Sequence, residues 1–194
     1  MQDFALYFEI GRAHILDWQA YDHLLFLLAL CASYLLSDWK KVLLLITAFT
    51  IGHSITLALS VINWIHFPYN WIELLIPLSI AFTALSNLID RSTQKWHGLS
   101  SYLITLLFGL IHGLGFSNYL KSLLGTETSI LQPLLAFNLG LEFGQIIIVI
   151  TILALAQLLV SQLKLPQKTW ILLLSILSVG LATKMIIERI PAIL

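Results

Sequence analysis

Apolar residues run through this chain in six stretches, each about long enough to cross a lipid bilayer. A membrane-spanning helix needs about 20 mostly apolar residues, and the stretches cover residues 20–37, 40–62, 70–89, 100–119, 131–160 and 169–190. Polar or proline-containing segments separate them: Ser37–Lys41, the connection at Pro68, Arg91–His97, Gly125–Ser129 and Lys164–Pro166. The pattern predicts an all-α fold. We expect a single transmembrane domain over residues 1–194, a six-helix bundle preceded by a short N-terminal interfacial segment.

Composition places the chain among integral membrane proteins. Hydrophobic residues make up 59% and charged residues only 10%, whereas soluble domains carry about 25% charge. The formal net charge is zero, so the sequence gives no electrostatic reason to expect a nucleic-acid partner. Cys31 is the single cysteine, and Met1 and Met185 are the only thioethers, so a soft-metal site lacks its usual ligands.

Lysines and arginines are unevenly distributed between the two sides of the predicted bundle. The first, third and fifth connections carry Lys40, Lys41, Arg91, Lys95, Lys164 and Lys168. The opposite side carries Arg12 and Lys121, with Lys184 and Arg189 near the end of the last span. Since cytoplasmic connections are enriched in positive charge, both termini are predicted to face outside.

Ionisable side chains interrupt the apolar stretches, where a helix has no structural need for them. His23, His53, His112 and Glu142 are the main examples. A charged group at a helix centre costs about 2.5 kcal/mol or more, so such residues are candidates for function. Imidazoles and carboxylates from different helices form the ligand set of a borderline divalent ion such as nickel, cobalt or zinc.

The first polar block reads HILDWQAYDHLLF from His14 to Phe26. Asp22 and His23 open the first span, and His14 and Asp17 stand just before it. An aspartate at a helix start is also favoured by the helix dipole, so Asp22 fits a structural role as well as a ligand role. We interpret Asp22, His23 and His14 as metal-ligand candidates and Asp17 as a supporting residue.

The second block, FTIGHSIT from Phe49 to Thr56, places a histidine in the middle of the second span. Ser54 lies on a hydroxyl-bearing stripe beside His53. A neutral histidine in an interhelical hydrogen bond would be a structural explanation, but hydroxyls alone would serve that purpose. We therefore interpret His53 as a ligand and Ser54 as its supporting neighbour.

Two further blocks carry the remaining candidates. In FGLIHGLGF, from Phe108 to Phe116, His112 stands among glycines that permit close helix packing. In AFNLGLEFGQ, residues 136–145, Asn138, Glu142 and Gln145 share one helix face at i, i+4 and i+7.

A carboxylate near mid-membrane stays ionised only beside a cation, so Glu142 is a ligand candidate. Asn138 and Gln145 are expected to orient the ligands. Glu73 begins the third span, where it fits either a helix start or an entry gate for the ion.

Taken together, these blocks resemble the HupE/UreJ family of bacterial membrane proteins, which is regarded as nickel or related metal permeases associated with hydrogenase and urease maturation. The resemblance runs across nearly the whole chain. It implies a multi-pass protein of the bacterial inner membrane, with the metal carried by Asp22, His23, His53, His112 and Glu142. GHS at 52–54 also resembles a signature of nickel/cobalt permeases, although His14 stands farther from Asp22 than that signature requires.

The sequence therefore favours a permease for a divalent transition metal, with the ion as substrate and the bilayer as surroundings. An intramembrane zinc hydrolase using the same His/Asp/Glu cluster is the alternative, because zinc bound to three such ligands can activate water. A metal-stabilised structural or sensor protein is a third reading. No residue is assigned as catalytic, and a homo-oligomer remains open.

Overall fold

The computed structural model describes residues 2–18, 21–89, 98–124 and 130–193, and in this part of the chain every regular element is helical. The helices are α1 (Gln2–Leu16), α2 (Asp22–Cys31), α3 (Trp39–Val61), α4 (Tyr69–Ile89), α5 (Leu99–Leu124), α6 (Leu131–Ala156) and α7 (Gln167–Arg189). Short 3-10 turns cover Leu36–Asp38 and Ile190–Ala192, and a π-helical segment, Gln157–Gln162, extends α6. The predicted connections Arg91–His97 and Gly125–Ser129 lie outside the described residues.

Five helical segments in the described part are long and apolar enough to cross a membrane: Leu36–Val61, Tyr69–Ile89, Leu99–Leu124, Leu131–Gln162 and Gln167–Ala192. The all-α membrane fold is confirmed, but the six-span count is not. The first predicted span, 20–37, contains only the ten-residue helix α2. Ten residues rise about 15 Å, roughly half of the hydrocarbon core.

A buried asparagine explains where α2 ends. The amide of Asn87 on α4 donates to the carbonyl of Ala29 at 2.8 Å, and its oxygen accepts from the Ser33 hydroxyl at 3.0 Å. The first bond satisfies the Ala29 carbonyl, which a continuing helix would pair with a backbone N–H four residues later. The helix ends at Cys31 although the mostly apolar stretch continues to Leu36.

The N-terminal segment, expected at the membrane interface, instead packs along α6. Gly11 lies against the carbonyl of Phe137, and Gly140 lies against the carbonyl of Phe8, so closely that a methyl group on either glycine would overlap the opposing oxygen. Farther along, Ile15 meets Gly144, so α1 and α6 run in the same direction. Close approach of this kind replaces the hydrophobic driving force that is missing between helices in lipid.

Helices α3 and α5 cross in the same way. A methyl group at Gly52 would overlap the carbonyl of Leu106, and one at Gly109 would overlap the carbonyl of Phe49. Gly113 lies against the carbonyl of His53, so these helices are also parallel. The crossing brings His53 and the glycine-flanked His112 to the same level of the bundle.

The two crossings share sequence as well as geometry. Phe8 and Gly11 belong to the segment FEIG, and Phe49 and Gly52, 41 positions later, belong to FTIG. Gly109 begins GLIHG, and Gly140, 31 positions later, begins GLEFG. In both crossings, a segment of the form Phe-x-Ile-Gly packs against a segment of the form Gly-Leu-x-x-Gly.

Helices α1 and α2 together make one passage through the bundle, and the helix is interrupted between them. Helix α1 runs parallel to α6, and α2 ends beside Asn87 near the end of α4. Because α4 and α6 begin at the same end of the bundle, α1 and α2 run in the same direction. The start of α2, with Asp22 and His23, therefore lies inside the bundle, as the broken helices of transporters do.

Helices α4 and α7 pack side by side and complete the bundle. Arg189 contacts the Glu73 carboxylate at 3.2 Å and donates to its carbonyl at 2.7 Å. Asn70 donates to the carbonyl of Ala192 at 2.6 Å. The last described residues thus lie at the end where α4 begins, which is also the end where α1 begins.

Candidate metal centre

Three histidines from three helices meet inside the bundle. Ligand nitrogens of His14 on α1, His23 on α2 and His53 on α3 all lie within 4.8 Å of one another. Three nitrogens bound to one tetrahedral ion at about 2.0–2.1 Å would lie about 3.3 Å apart. Small rotations of the side chains would close that difference, so these residues can hold a metal ion.

His23 is oriented by the residue before it. Its Nδ1 lies 2.9 Å from Oδ1 of Asp22, and its backbone N–H donates to the same oxygen at 2.8 Å. A proton on Nδ1 leaves Nε2 with a free lone pair, and Nε2 of His23 is buried without a hydrogen-bond partner among the described residues. A carboxylate behind a histidine is the usual arrangement around a bound metal, where it sets the tautomer.

His53 is the most deeply buried member of the group. It is 0% exposed, and neither ring nitrogen has a hydrogen-bond partner in the described part of the chain. Asn138 on α6 lies beside this ring, and its Oδ1 is also buried and unpaired there. Buried polar atoms are nearly always paired, and the nitrogens gathered here have the lone pairs that a bound cation would use.

His112 joins the group as a fourth histidine. Its ring centroid lies 4.9 Å from that of His23, and it is 1% exposed. Nε2 lies 3.2 Å from the Ser79 hydroxyl on α4, while Nδ1 is buried without a partner among the described residues. With His112 included, α1, α2, α3 and α5 all contribute imidazoles to one region.

Aromatic rings enclose the histidines. The Phe137 ring stacks on His53 at 6.1 Å between centroids, and the Phe116 ring lies 4.0 Å from His14. Phe49 contacts both His23 and His112 edge-on. This apolar shell shields the buried rings of His23, His53 and His112 from water and raises the strength of any charge interaction inside it.

The structure does not place Glu142 in the three-histidine group. Its Oε1 accepts a hydrogen bond of 2.6 Å from Thr47 on α3. One turn along, Gln145 is 0% exposed and its Oε1 accepts from Thr50 at 2.8 Å. Glu142 and Gln145 therefore form a polar contact between α3 and α6 that is separate from the ligand nitrogens.

Other predicted site residues have local partners. Ser54 donates to the carbonyl of Thr50 at 2.6 Å, a bond within its own helix. Glu73, considered as an entry gate, is paired with Arg189 on α7. Asp17 lines an open cleft together with His14.

Sequence reasoning missed three contributors to this region, namely Ser79, Phe116 and Phe137. Each is an ordinary residue in a membrane helix, so no local signal separates it from its neighbours. A weak clue was available for Phe116, because it closes the FGLIHGLGF block that contains His112.

The fold and the site together define a class: a multi-pass helical membrane protein with buried histidines able to bind a metal. A family model described as HupE / UreJ protein matches residues 1–189. The chain belongs to the HupE/UreJ family. No curated protein and no solved structure matches the chain.

Proposed function

We propose that this protein is a permease that carries a divalent transition-metal ion, of the nickel, cobalt and zinc group, across the bacterial inner membrane. The observation that carries the proposal is the meeting of His14, His23 and His53 with unpartnered ring nitrogens in a bundle of membrane helices. Neutral imidazoles bind borderline divalent ions and leave hard ions such as magnesium to oxygen ligands. The family resemblance favours nickel within this group.

The remaining predicted residues take supporting roles in this proposal. Asp22 holds His23 in the tautomer that offers Nε2. His112 supplies a fourth imidazole, and Asn138 lies beside His53. Glu142, about one helical turn beyond Asn138 on α6, is the next acidic group that an ion would meet after leaving the histidines.

Hydrolysis by a zinc-bound water is the second candidate, since three histidines and one open position are the ligand set of a catalytic zinc. The surroundings favour binding over hydrolysis. Phe116 and Phe137 lie against the histidines where a polymeric substrate would need room. Ser54, a candidate nucleophile by residue type, is bonded to the backbone of its own helix.

Metal binding tests the proposal directly. Protein purified without a polyhistidine tag and reconstituted in nanodiscs is titrated with Ni²⁺, Co²⁺ and Zn²⁺, and bound metal is counted by elemental analysis. We expect one ion per chain for the wild type and none for His53→Ala. His66→Ala is the matched control, because His66 is exposed in the α3–α4 connection, and it should bind normally.

Transport is measured in proteoliposomes with the same variants. Uptake of the bound metal by wild type and His66→Ala, and not by His53→Ala, would support the permease. If protons are exchanged for metal, uptake should depend on pH, and uptake unchanged between pH 5.5 and pH 8 would count against proton coupling. Stoichiometric binding without any uptake, together with release of product from a test amide or ester, would favour the hydrolase instead.

A further inference from the structure

One open cleft reaches the histidine group from the side of the bundle where α1 and α5 face each other. It has a volume of about 700 Å³ and is lined by Ile10, Ala13, His14, Asp17, Phe116 and Tyr119. Tyr119 lies in the last two turns of α5 and is 55% exposed, so the cleft opens toward the end of the bundle where α1 begins. The positive-inside pattern predicts that this end faces outside.

The wall of the cleft combines one carboxylate with one ligand histidine. Asp17 is exposed and follows His14 along the chain by about one turn, so it lies farther from the end where α1 begins. A carboxylate in a cleft with apolar walls attracts cations into the cleft. Among the described lining residues, His14 is the one member of the three-histidine group. An ion in the cleft would therefore meet His14 before His23 or His53.

Two stacked phenylalanines lie between the cleft and His53. The Phe116 and Phe137 rings lie 4.8 Å apart with their planes inclined by 16°. Phe116 contacts His14 on the cleft side, and Phe137 stacks on His53 on the inner side. His23 and His53 are only 4% and 0% exposed among the described residues, so their rings are buried behind this layer.

We propose that this cleft is the entry vestibule for the divalent cation, that the Asp17 carboxylate attracts the ion into it, and that Phe116 must turn aside before the ion reaches His23 and His53. The inference rests on the proposed function, because it describes how the substrate of the same site arrives. Phe116 thereby controls the rates of binding and release, while the histidines determine the affinity.

Blocking the cleft is the closing experiment. Ala13 lines the cleft and is exposed, whereas the native Cys31 is buried, so Ala13→Cys offers one accessible thiol for a bulky methanethiosulfonate reagent. Co²⁺ binding is followed by stopped-flow absorption in nanodiscs. We expect labelling of Ala13→Cys to slow binding at least about tenfold, and reduction of the label to restore the rate. Trp64→Cys, labelled in the exposed α3–α4 connection, is the control and should bind at the wild-type rate.

Two further variants separate the vestibule from the site. Phe116→Ala should raise the association and dissociation rates together by about tenfold and leave the equilibrium affinity nearly unchanged. Phe82→Ala removes an exposed phenylalanine of α4 that contacts Phe108 and does not line the cleft, so it should change neither rate. Asp17→Asn should slow association at low salt but not at high salt. Asp38→Asn, at the opposite end of the bundle, should not slow association at either salt concentration.

The outcomes distinguish the two proposals. A wild-type protein that binds no Co²⁺, Ni²⁺ or Zn²⁺ overturns both. Normal stoichiometric binding with a rate that labelled Ala13→Cys and Phe116→Ala leave unchanged overturns the vestibule and leaves the metal site standing.

Discussion

The two close helix crossings of this protein have the same packing and different chemistry. In α3/α5, Phe49 and Gly52 face Gly109 and Leu106, and in α1/α6, Phe8 and Gly11 face Gly140 and Phe137. The α3/α5 crossing buries His53 and His112 completely. The α1/α6 crossing brings His14 to the edge of an open cleft.

This difference separates scaffold from function. Position 53 in the first crossing corresponds to position 12 in the second, where Arg12 contacts Glu9 within its own helix and is partly exposed. The glycines therefore serve the backbone contact in both places, and the chemistry depends on which side chain the local sequence adds. Glycine variants and ligand variants should therefore have separable effects on stability and on metal binding.

The largest effect is expected from adding a methyl group at the α3/α5 crossing. In Gly109→Ala the new Cβ would overlap the Phe49 carbonyl, so the helices must separate, at a cost of about 1–3 kcal/mol or more. Metal binding should be lost as well, because His53 and His112 would move apart. Thermal unfolding in detergent measures the first effect and titration the second. Gly180→Ala is the control, since nothing lies within 4 Å of its added Cβ, and it should be as stable as wild type or slightly more stable.

Asp22→Asn tests the residue that orients His23, the histidine of α2. The amide cannot accept the Nδ1 proton with the strength of a carboxylate, so His23 loses its preferred tautomer. We expect metal affinity to fall by about 10–100-fold with little change in unfolding temperature. An unchanged affinity would show that Asp22 acts only at the start of α2.

Gly140→Ala should loosen the α1/α6 crossing without unfolding the bundle. The added Cβ would overlap the Phe8 carbonyl and shift α1, which carries His14 alone among the three ligands. Affinity should fall by about tenfold, the size of effect expected for displacing one imidazole. In a double-mutant cycle with His14→Ala, the two losses should not add, because both act through His14. Additive losses would contradict this coupling.

The smallest effect is expected at the polar contact between α3 and α6. Thr50→Val removes the hydrogen bond to Gln145 that joins α3 to α6. Such interhelical bonds in membranes contribute about 0.6 kcal/mol, so the unfolding free energy should decrease by about that amount and metal affinity should change by less than about threefold. A loss of binding as large as that of Asp22→Asn would show that Gln145 and Thr50 belong to the site itself.

Local sequence predicted the kinds of residue in the site better than their roles. His23, His53 and His112 stand out because each interrupts an apolar helix, and the structure brings them to one region. His14 precedes the first predicted span, yet it belongs to the three-histidine group because α1 packs along α6. Glu142 has the same local signal as His53, but it faces Thr47 instead. Which face of α6 meets which part of α3 depends on the crossing geometry, and helical periodicity does not contain that information.

Hydropathy and helix periodicity are local properties that add up along the chain, so the sequence predicted a helical membrane protein with histidines among apolar residues. The ten-residue length of α2 within the predicted span 20–37 depends on a distant helix, because the Asn87 amide bonds the Ala29 carbonyl that a longer helix would pair. The meeting of His14, His23 and His53 was decided in the same way. Their distances depend on how far glycine contacts let separate helices approach, a property of pairs of segments and not of any one segment.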